Sequence, residues 1–358
     1  MNRTQSTCVN PSNLTSAENT SETIQRRGLS CDHHAMRAVI IREPGDESVL
    51  TLVERPDPEV PPCHVRVRVT HTAVNRADLL QRAGFYPAPP GVPPDIPGLE
   101  YAGVVESVSP SSSLGVGQRV FGLVAGGSYA ELLVVHEREA VVIPDGLPDH
   151  LAAAVPEAFV TAYDALVLRA GLKPGERVLI HAVGSGVGTA GLQIAKALGC
   201  HVTGTSRTAG KLTRAAELGL DRGVLVRDAA ELPSALGPDA IFDVVLDLVG
   251  GPYVGATIPS LHTRGRVVVV GLTAGTRSEL DLSLVLRRRL TIVGTVLRSR
   301  PLEEKIQAAD VLRRTLVPWL ARGMIKPIVE RSFMLDEAAI AHRALATNET
   351  FGKVVLRV

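Results

Sequence analysis

From Met36 to about Pro144, apolar and polar positions alternate in short runs broken by Pro and Gly. Val65-Arg66-Val67-Arg68-Val69 shows the period of two that belongs to a half-buried strand, and stretches 101–108, 119–122 and 130–135 continue it. Antiparallel, barrel-like β structure is expected here. The period then changes. The spacing predicts helices over 148–155 and 161–170, a strand over 178–183, a glycine-rich turn at 184–188 and a helix over 189–198. Strands are predicted at 201–205, 223–226, 244–249, 267–270 and 290–297, with helices at 212–218 and ending at Leu261. Strands that are apolar along their whole length and alternate with helices indicate a parallel sheet covered on both faces. Beyond Pro301, a helix from Leu302 to about Leu320 leads to a last strand over 353–358. The fold class is therefore α/β: a doubly wound parallel sheet plus a second, β-rich domain.

Composition narrows this picture. At about 150 residues per domain, 358 residues suit two domains. The 38 Lys+Arg against 37 Asp+Glu leave a net charge of +1, so nothing in the total points to nucleic acid. Cys8, Cys31, Cys63 and Cys200 lie far apart without a Cys-x-x-Cys pair, which suits a reducing, cytoplasmic setting. No run of 18 uninterrupted apolar residues marks a membrane span. Residues 1–35 are rich in Ser, Thr and Asn without an apolar period, and are expected to be a disordered extension. They lack the continuous apolar segment of a secretory signal.

The turn at Gly184, Gly186 and Gly188 follows a predicted strand and opens a predicted helix. In that context glycines let backbone N–H groups approach a pyrophosphate, and the helix N-terminus adds partial positive charge. About 20 residues further on, NAD sites usually place an acid for the ribose 2′-OH. This chain instead reads Thr205-Ser206-Arg207-Thr208-Ala209-Gly210-Lys211. Ser206, Arg207 and Lys211 suit a 2′-phosphate, so NADPH is the expected cofactor.

Taken with Asn75-Arg76-Ala77-Asp78-Leu79-Leu80-Gln81-Arg82, Pro97-Gly98-Leu99-Glu100-Tyr101-Ala102-Gly103 and Pro156-Glu157-Ala158-Phe159-Val160-Thr161-Ala162-Tyr163, the chain resembles the medium-chain dehydrogenase/reductase superfamily. It is similar in particular to the zinc-independent NADPH:quinone oxidoreductases related to zeta-crystallin. The resemblance implies a GroES-like catalytic domain over 36–155, a Rossmann NADPH-binding domain over 156–299 and a return to the catalytic domain over 300–358. The zinc branch holds its metal through a Cys in the first block, a His in a Gly-His-Glu block and a later Cys. Here Asn75 and Asp78 stand in the first block, Leu99 takes the place of that His, and the ten histidines are scattered. No metal is expected. Ser185 departs from the branch's usual turn, and is small enough to admit a phosphate and to donate to it.

The resemblance further implies that Asn75 lies beside the nicotinamide or substrate and that Thr161 contacts the nicotinamide. Ser185, Gly186, Val187, Gly188, Ser206, Arg207 and Lys211 would bind the phosphates and the adenine half, and Leu272, Leu297 and Asn348 would border the cofactor. For Asn75, Asp78 and Thr161 the plain alternative is helix capping. Tyr86, in the proline-stiffened Gly84-Phe85-Tyr86-Pro87 loop, is a candidate proton donor or quinone-binding residue. The expected reaction is metal-free hydride transfer from NADPH to a quinone. Reduction of an enone or alkenal double bond on the same scaffold and a non-catalytic NADPH-binding role are the alternatives. The partners expected are a small molecule, no nucleic acid, no membrane, and a second copy of the chain paired along the last Rossmann strand.

Overall fold

The computed structural model describes residues 35–110 and 112–358, so the expected extension lies, Ala35 apart, outside the described residues. The dinucleotide-type sheet is six-stranded and parallel throughout. Its strands run Arg222–Leu225, His201–Ser206, Arg177–Ile180, Phe242–Asp247, Leu261–Val269 and Thr291–Gly294 across the sheet. Counted in chain order within the sheet this is 3-2-1-4-5-6, and the order reverses between Arg177–Ile180 and Phe242–Asp247, where such sheets open a crevice at their C-terminal ends. Both faces are covered. Val244 and Leu246 enter one hydrophobic cluster and Val245, pointing the other way, enters another.

The second sheet has seven strands. Val329–Met334 pairs in parallel with Lys353–Arg357, which runs antiparallel to His64–Val74, followed by Glu100–Val108, Arg119–Leu123 and Val141–Val142. Leu132–His136 also pairs with His64–Val74, while Ala35–Ile41 and Leu50–Pro56 form a separate hairpin. The C-terminal strand thus completes a sheet begun almost 300 residues earlier. It also touches the other domain, because Gly352 N–H donates to Gly184 O at 2.9 Å.

Several predicted boundaries moved for visible reasons. The chain forms Asp149–Ala152 and then restarts as Pro156–Tyr163, because proline fits only the first turn of a helix. The helix after the glycine turn begins at Gly186 rather than Thr189, capped by Ser185. The edge strand ends at Gly294, so that Leu297 and Arg298 leave the sheet and become buried. The helix from Leu302 loosens into a π-helical turn at Leu312–Leu316 just before Pro318. One helical run, Asp149–Arg169, is long and apolar enough to cross a membrane, and it is mostly buried as a core helix of the fold.

Candidate active site

The glycine turn is as tight as its sequence suggests. A Cβ on Gly188 would lie 2.4 Å from Ala182 O and 2.7 Å from Val183 O, both backbone atoms. One on Gly186 would lie 2.6 Å from Lys353 Cδ. Ser185 Oγ accepts from Gly188 N–H at 3.1 Å, so its observed work is to cap the helix. Val187, part-buried, packs against the main core.

Beyond the end of His201–Ser206 stand the basic residues Arg207 and Lys211. Ser206 is buried and its Oγ accepts from Thr208 N–H at 3.2 Å, while Arg207 is exposed. Lys211 Nζ donates to Asn348 O at 2.5 Å. Arg76, on the other domain, donates to Asn348 Oδ1 at 2.5 Å and to Leu345 O at 3.2 Å. Asn348 adopts a left-handed backbone (φ 58°) in the turn before the last strand, which lets it serve both cations at once. Burial lowers the Lys211 ammonium from its usual value, and Arg207 and Arg76 lower it further. Arg76 is likewise lowered by burial and then by Arg207.

The second centre is a buried polar network. Glu100 is fully buried, and its Oε1 receives Lys353 Nζ at 2.7 Å and Asn75 Nδ2 at 2.9 Å. Lys353 Nζ also donates to Asn75 Oδ1 at 2.5 Å, so the Asn75 amide is held at both ends. Glu100 Oε2 accepts from Glu157 N–H at 2.8 Å, at the start of Pro156–Tyr163. Capping around Asn75 runs the other way from the simple expectation. Asp78 Oδ2 accepts from Asn75 N–H at 2.7 Å and Asp78 Oδ1 from Gly98 N–H at 3.1 Å, leaving the Asn75 side chain for the network. The helix Arg76–Arg82 is not solvated either: Asp78, Leu79, Gln81 and Arg82 are buried. Burial raises the Asp78 carboxyl to about 6 despite those hydrogen bonds.

Thr161 lies inside Pro156–Tyr163 rather than at its cap, and its buried Oγ1 has no hydrogen-bond partner. A buried orphan hydroxyl invites a ligand. On the same helix, Glu157 borders a cleft that is also lined by Leu123, Val124, Ala125, Leu297, Arg298 and Ala308. Arg298 organises its wall. Its guanidinium donates to Ala125 O at 2.7 Å, Gln81 Oε1 at 2.6 Å and Tyr86 O at 3.0 Å, and stands 5.0 Å over the Tyr86 ring. Tyr86 is thereby fixed, and burial pushes its phenol above the usual value. Leu297 lines the cleft, whereas Leu272 is exposed, packed across Gly250 on the loop after Leu261–Val269.

The residues singled out from the sequence therefore fall into two adjoining groups, one at the turn and basic cluster, the other around Asn75, Thr161, Tyr86 and Leu297. Arg76, Glu100, Glu157, Arg298 and Lys353 were not foreseen as site residues. Arg76, Glu100 and Glu157 stand in the quoted blocks, Arg298 follows the predicted strand 290–297 and Lys353 opens the last strand, but only packing shows that charges so distant in sequence converge. The run Arg287-Arg288-Arg289 closes the helix Leu282–Arg288, and Arg288 donates to Pro259 O at 2.7 Å and Leu261 O at 2.5 Å. Among the described residues no group of three or more His, Cys, Asp or Glu is placed to hold a metal ion.

Comparison with known proteins agrees with this architecture. The alcohol dehydrogenase GroES-like domain model matches residues 61–145 and the zinc-binding dehydrogenase model residues 186–313. The human quinone oxidoreductase is 30% identical over 328 residues, covering 90% of this chain and 97% of that protein. A Mycobacterium tuberculosis mycocerosic acid synthase-like polyketide synthase is 31% identical over 342 residues, 93% of this chain. The chain spans only 16%, 6% and 14% of the length of three such synthases it matches. Among solved structures, the quinone oxidoreductase of Thermus thermophilus, also solved in complex with NADPH, superposes with a TM-score of 0.74 at 33% identity, covering 90% of this chain and all of that one.

Proposed function

The chain belongs to the medium-chain dehydrogenase/reductase superfamily, in its quinone oxidoreductase branch, and from that premise we propose that it reduces quinones with NADPH without a metal. The observation that carries this reading is the convergence of Arg76, Arg207 and Lys211 beside a glycine turn in which Gly188 packs directly against backbone carbonyls. Arg207 and Lys211 beyond the end of His201–Ser206, joined by Arg76 from the other domain, with no acid at the position that would hold a ribose 2′-OH, suit the 2′-phosphate of NADPH. Relatives of this branch have been solved with that cofactor.

When bound, NADPH supplies a hydride from C4 of its nicotinamide. The residues of this chain do the rest by position. Gly186 and Gly188 admit the pyrophosphate to the helix N-terminus, and Thr161 Oγ1 offers its unused hydrogen bond to the nicotinamide. Asn75, its amide fixed by Glu100 and Lys353, orients the ring or the acceptor. Leu297 and Arg298, the latter holding Tyr86, border the cleft that would receive an acceptor such as a quinone. The sheet described first forms the NADPH-binding domain, near 156–299, and the seven-stranded sheet the catalytic domain.

Among the described residues, the edge strand Thr291–Gly294 has no neighbour on its outer hydrogen-bonding side, with Leu282, Leu286 and Ile292 exposed beside it. Pairing of two copies there would make a homodimer, and light scattering checks it. A cytoplasmic location fits the same reading. Stoichiometric zinc by elemental analysis would overturn the metal-free assignment. The direct test is NADPH oxidation followed in parallel with quinones and α,β-unsaturated carbonyls. Turnover of quinones supports the reading. Tight NADPH binding without turnover of any acceptor would replace it with a non-catalytic one.

A further inference from the structure

We propose that Glu157 is the group that protonates the reduced substrate when the acceptor is an α,β-unsaturated carbonyl compound; this rests on the NADPH-dependent reduction proposed above. The placement comes first. Glu157 opens onto the cleft beside Leu297 and Arg298. It stands four residues before Thr161 on Pro156–Tyr163, so the two side chains share one helix face. Its backbone N–H is held by Glu100, whose other oxygen is held by Asn75 and Lys353. The backbone of Glu157 is thus built into the frame that positions Asn75.

Its surroundings keep it protonated. Burial raises the Glu157 carboxyl to about 8, and Glu100 and Asp78 raise it while Lys353 and Arg298 pull it down. Glu139, Arg300 and Lys305 line the same cleft. An acid that titrates near the working pH transfers protons best. Tyr86, the donor suggested by the sequence, is pushed further from that range and is pinned through its ring and carbonyl by Arg298. Of these two acids, Glu157 is the one that lines the cleft and is the better matched.

The balance is simple. The β-carbon of the enone accepts the hydride, and the π pair of its C=C bond moves to form an enolate. The Glu157 O–H bond breaks, and its proton forms the new C–H bond at the α-carbon or the enol O–H bond. The substrate gains a hydride and a proton, two electrons and two protons in all, NADPH becomes NADP⁺, and the Glu157 carboxylate recovers a proton from water. Lys353 and Arg298 stabilise that carboxylate in the interval. A reduced quinone is a delocalised anion that water protonates readily, so this acid matters less for it.

The test uses the full chain, wild type and Glu157→Gln, with a cyclic 2-enone and a para-quinone from about pH 6 to 10. Wild-type turnover of the enone is expected to fall as pH rises through about 8. Glu157→Gln is expected to lower enone kcat by about 10²–10⁴-fold and to abolish that pH dependence, with quinone kcat changing less than about tenfold. Infrared difference spectra of the free proteins provide a readout independent of turnover: a protonated-carboxyl C=O band at neutral pH, present in wild type, absent in Glu157→Gln and lost above about pH 8. Absence of that band at neutral pH, or a Glu157→Gln enzyme with wild-type enone kcat and pH profile, overturns the proposal. Quinone consumed but enone refused by the wild type removes the proton delivery alone. Neither acceptor consumed removes the oxidoreductase reading and the proton delivery together.

Discussion

Replacing Arg207 by Ala probes the cofactor assignment with little risk to the fold, because the residue is exposed at the end of His201–Ser206. Its neighbours are already engaged: Lys211 Nζ lies 2.5 Å from Asn348 O and the Arg76 guanidinium 2.5 Å from Asn348 Oδ1. Arg207 is therefore the cation of the three freest to close on a 2′-phosphate. One hydrogen bond to a charged group contributes about 1.5–3 kcal/mol. At 1.4 kcal/mol per decade, losing it weakens NADPH binding about 10- to 140-fold. A second effect has the same sign. Arg207 depresses both Arg76 and Lys211, so a phosphate relieves repulsion that Arg207→Ala has already removed. NADH carries no 2′-phosphate, and its Kd is expected to stay unchanged. Calorimetric titration of both nucleotides into both proteins measures this, and the effect should shrink at high salt because the site is exposed. Equal weakening of NADPH and NADH, or an unchanged NADPH:NADH ratio, would refute the assignment of this cluster to the 2′-phosphate.

Gly188→Ala forces a Cβ against the carbonyls of Ala182 and Val183, which belong to the turn itself. It should cost about 1–3 kcal/mol of stability by overpacking, read as a lower Tm, together with loss of NADPH affinity. Lys353→Met leaves the Glu100 carboxylate buried without its cation and is expected to destabilise by about 3–5 kcal/mol in urea unfolding, while adding Glu100→Gln recovers much of that loss. A single variant as stable as wild type would show the pair to be solvated in solution. Glu139 gives a pH signature. Burial raises its folded-state carboxyl from 4.5 to about 7, so its contribution is fully present below pH 4.5 and is lost as pH rises through 7. Glu139→Gln should therefore raise Tm near pH 8 and leave it unchanged at pH 4.5; the reverse order would contradict the burial argument.

The parallel sheet was readable because its strands are apolar throughout and its first turn carries three glycines in five residues. What the pattern could not show was where strands yield to the site. Positions 290–297 read as one apolar strand, yet the chain leaves the sheet after Gly294 and buries Leu297 and Arg298 at the cleft. Thr161 looked equally suited to a helix cap and to a cofactor contact, and its orphaned buried hydroxyl excludes the cap. Arg207 and Lys211 were legible from their place after a strand. Arg76 was not, since its link to Asn348 spans most of the chain. The Glu100–Lys353 pair was hidden for the same reason: each residue alone looks like an ordinary charge, and only the closure of Lys353–Arg357 against His64–Val74 brings them together.

The central claim, hydride delivery from NADPH to an electron-poor acceptor in this cleft, is tested most directly by a single turnover. Protein loaded with NADPH is mixed anaerobically with excess para-quinone, and the nicotinamide absorbance is followed. The account predicts its complete loss in one enzyme-bound phase, with NADH at the same concentration reacting far more slowly. NADPH that stays bound and reduced in the presence of every quinone and unsaturated carbonyl offered would contradict it.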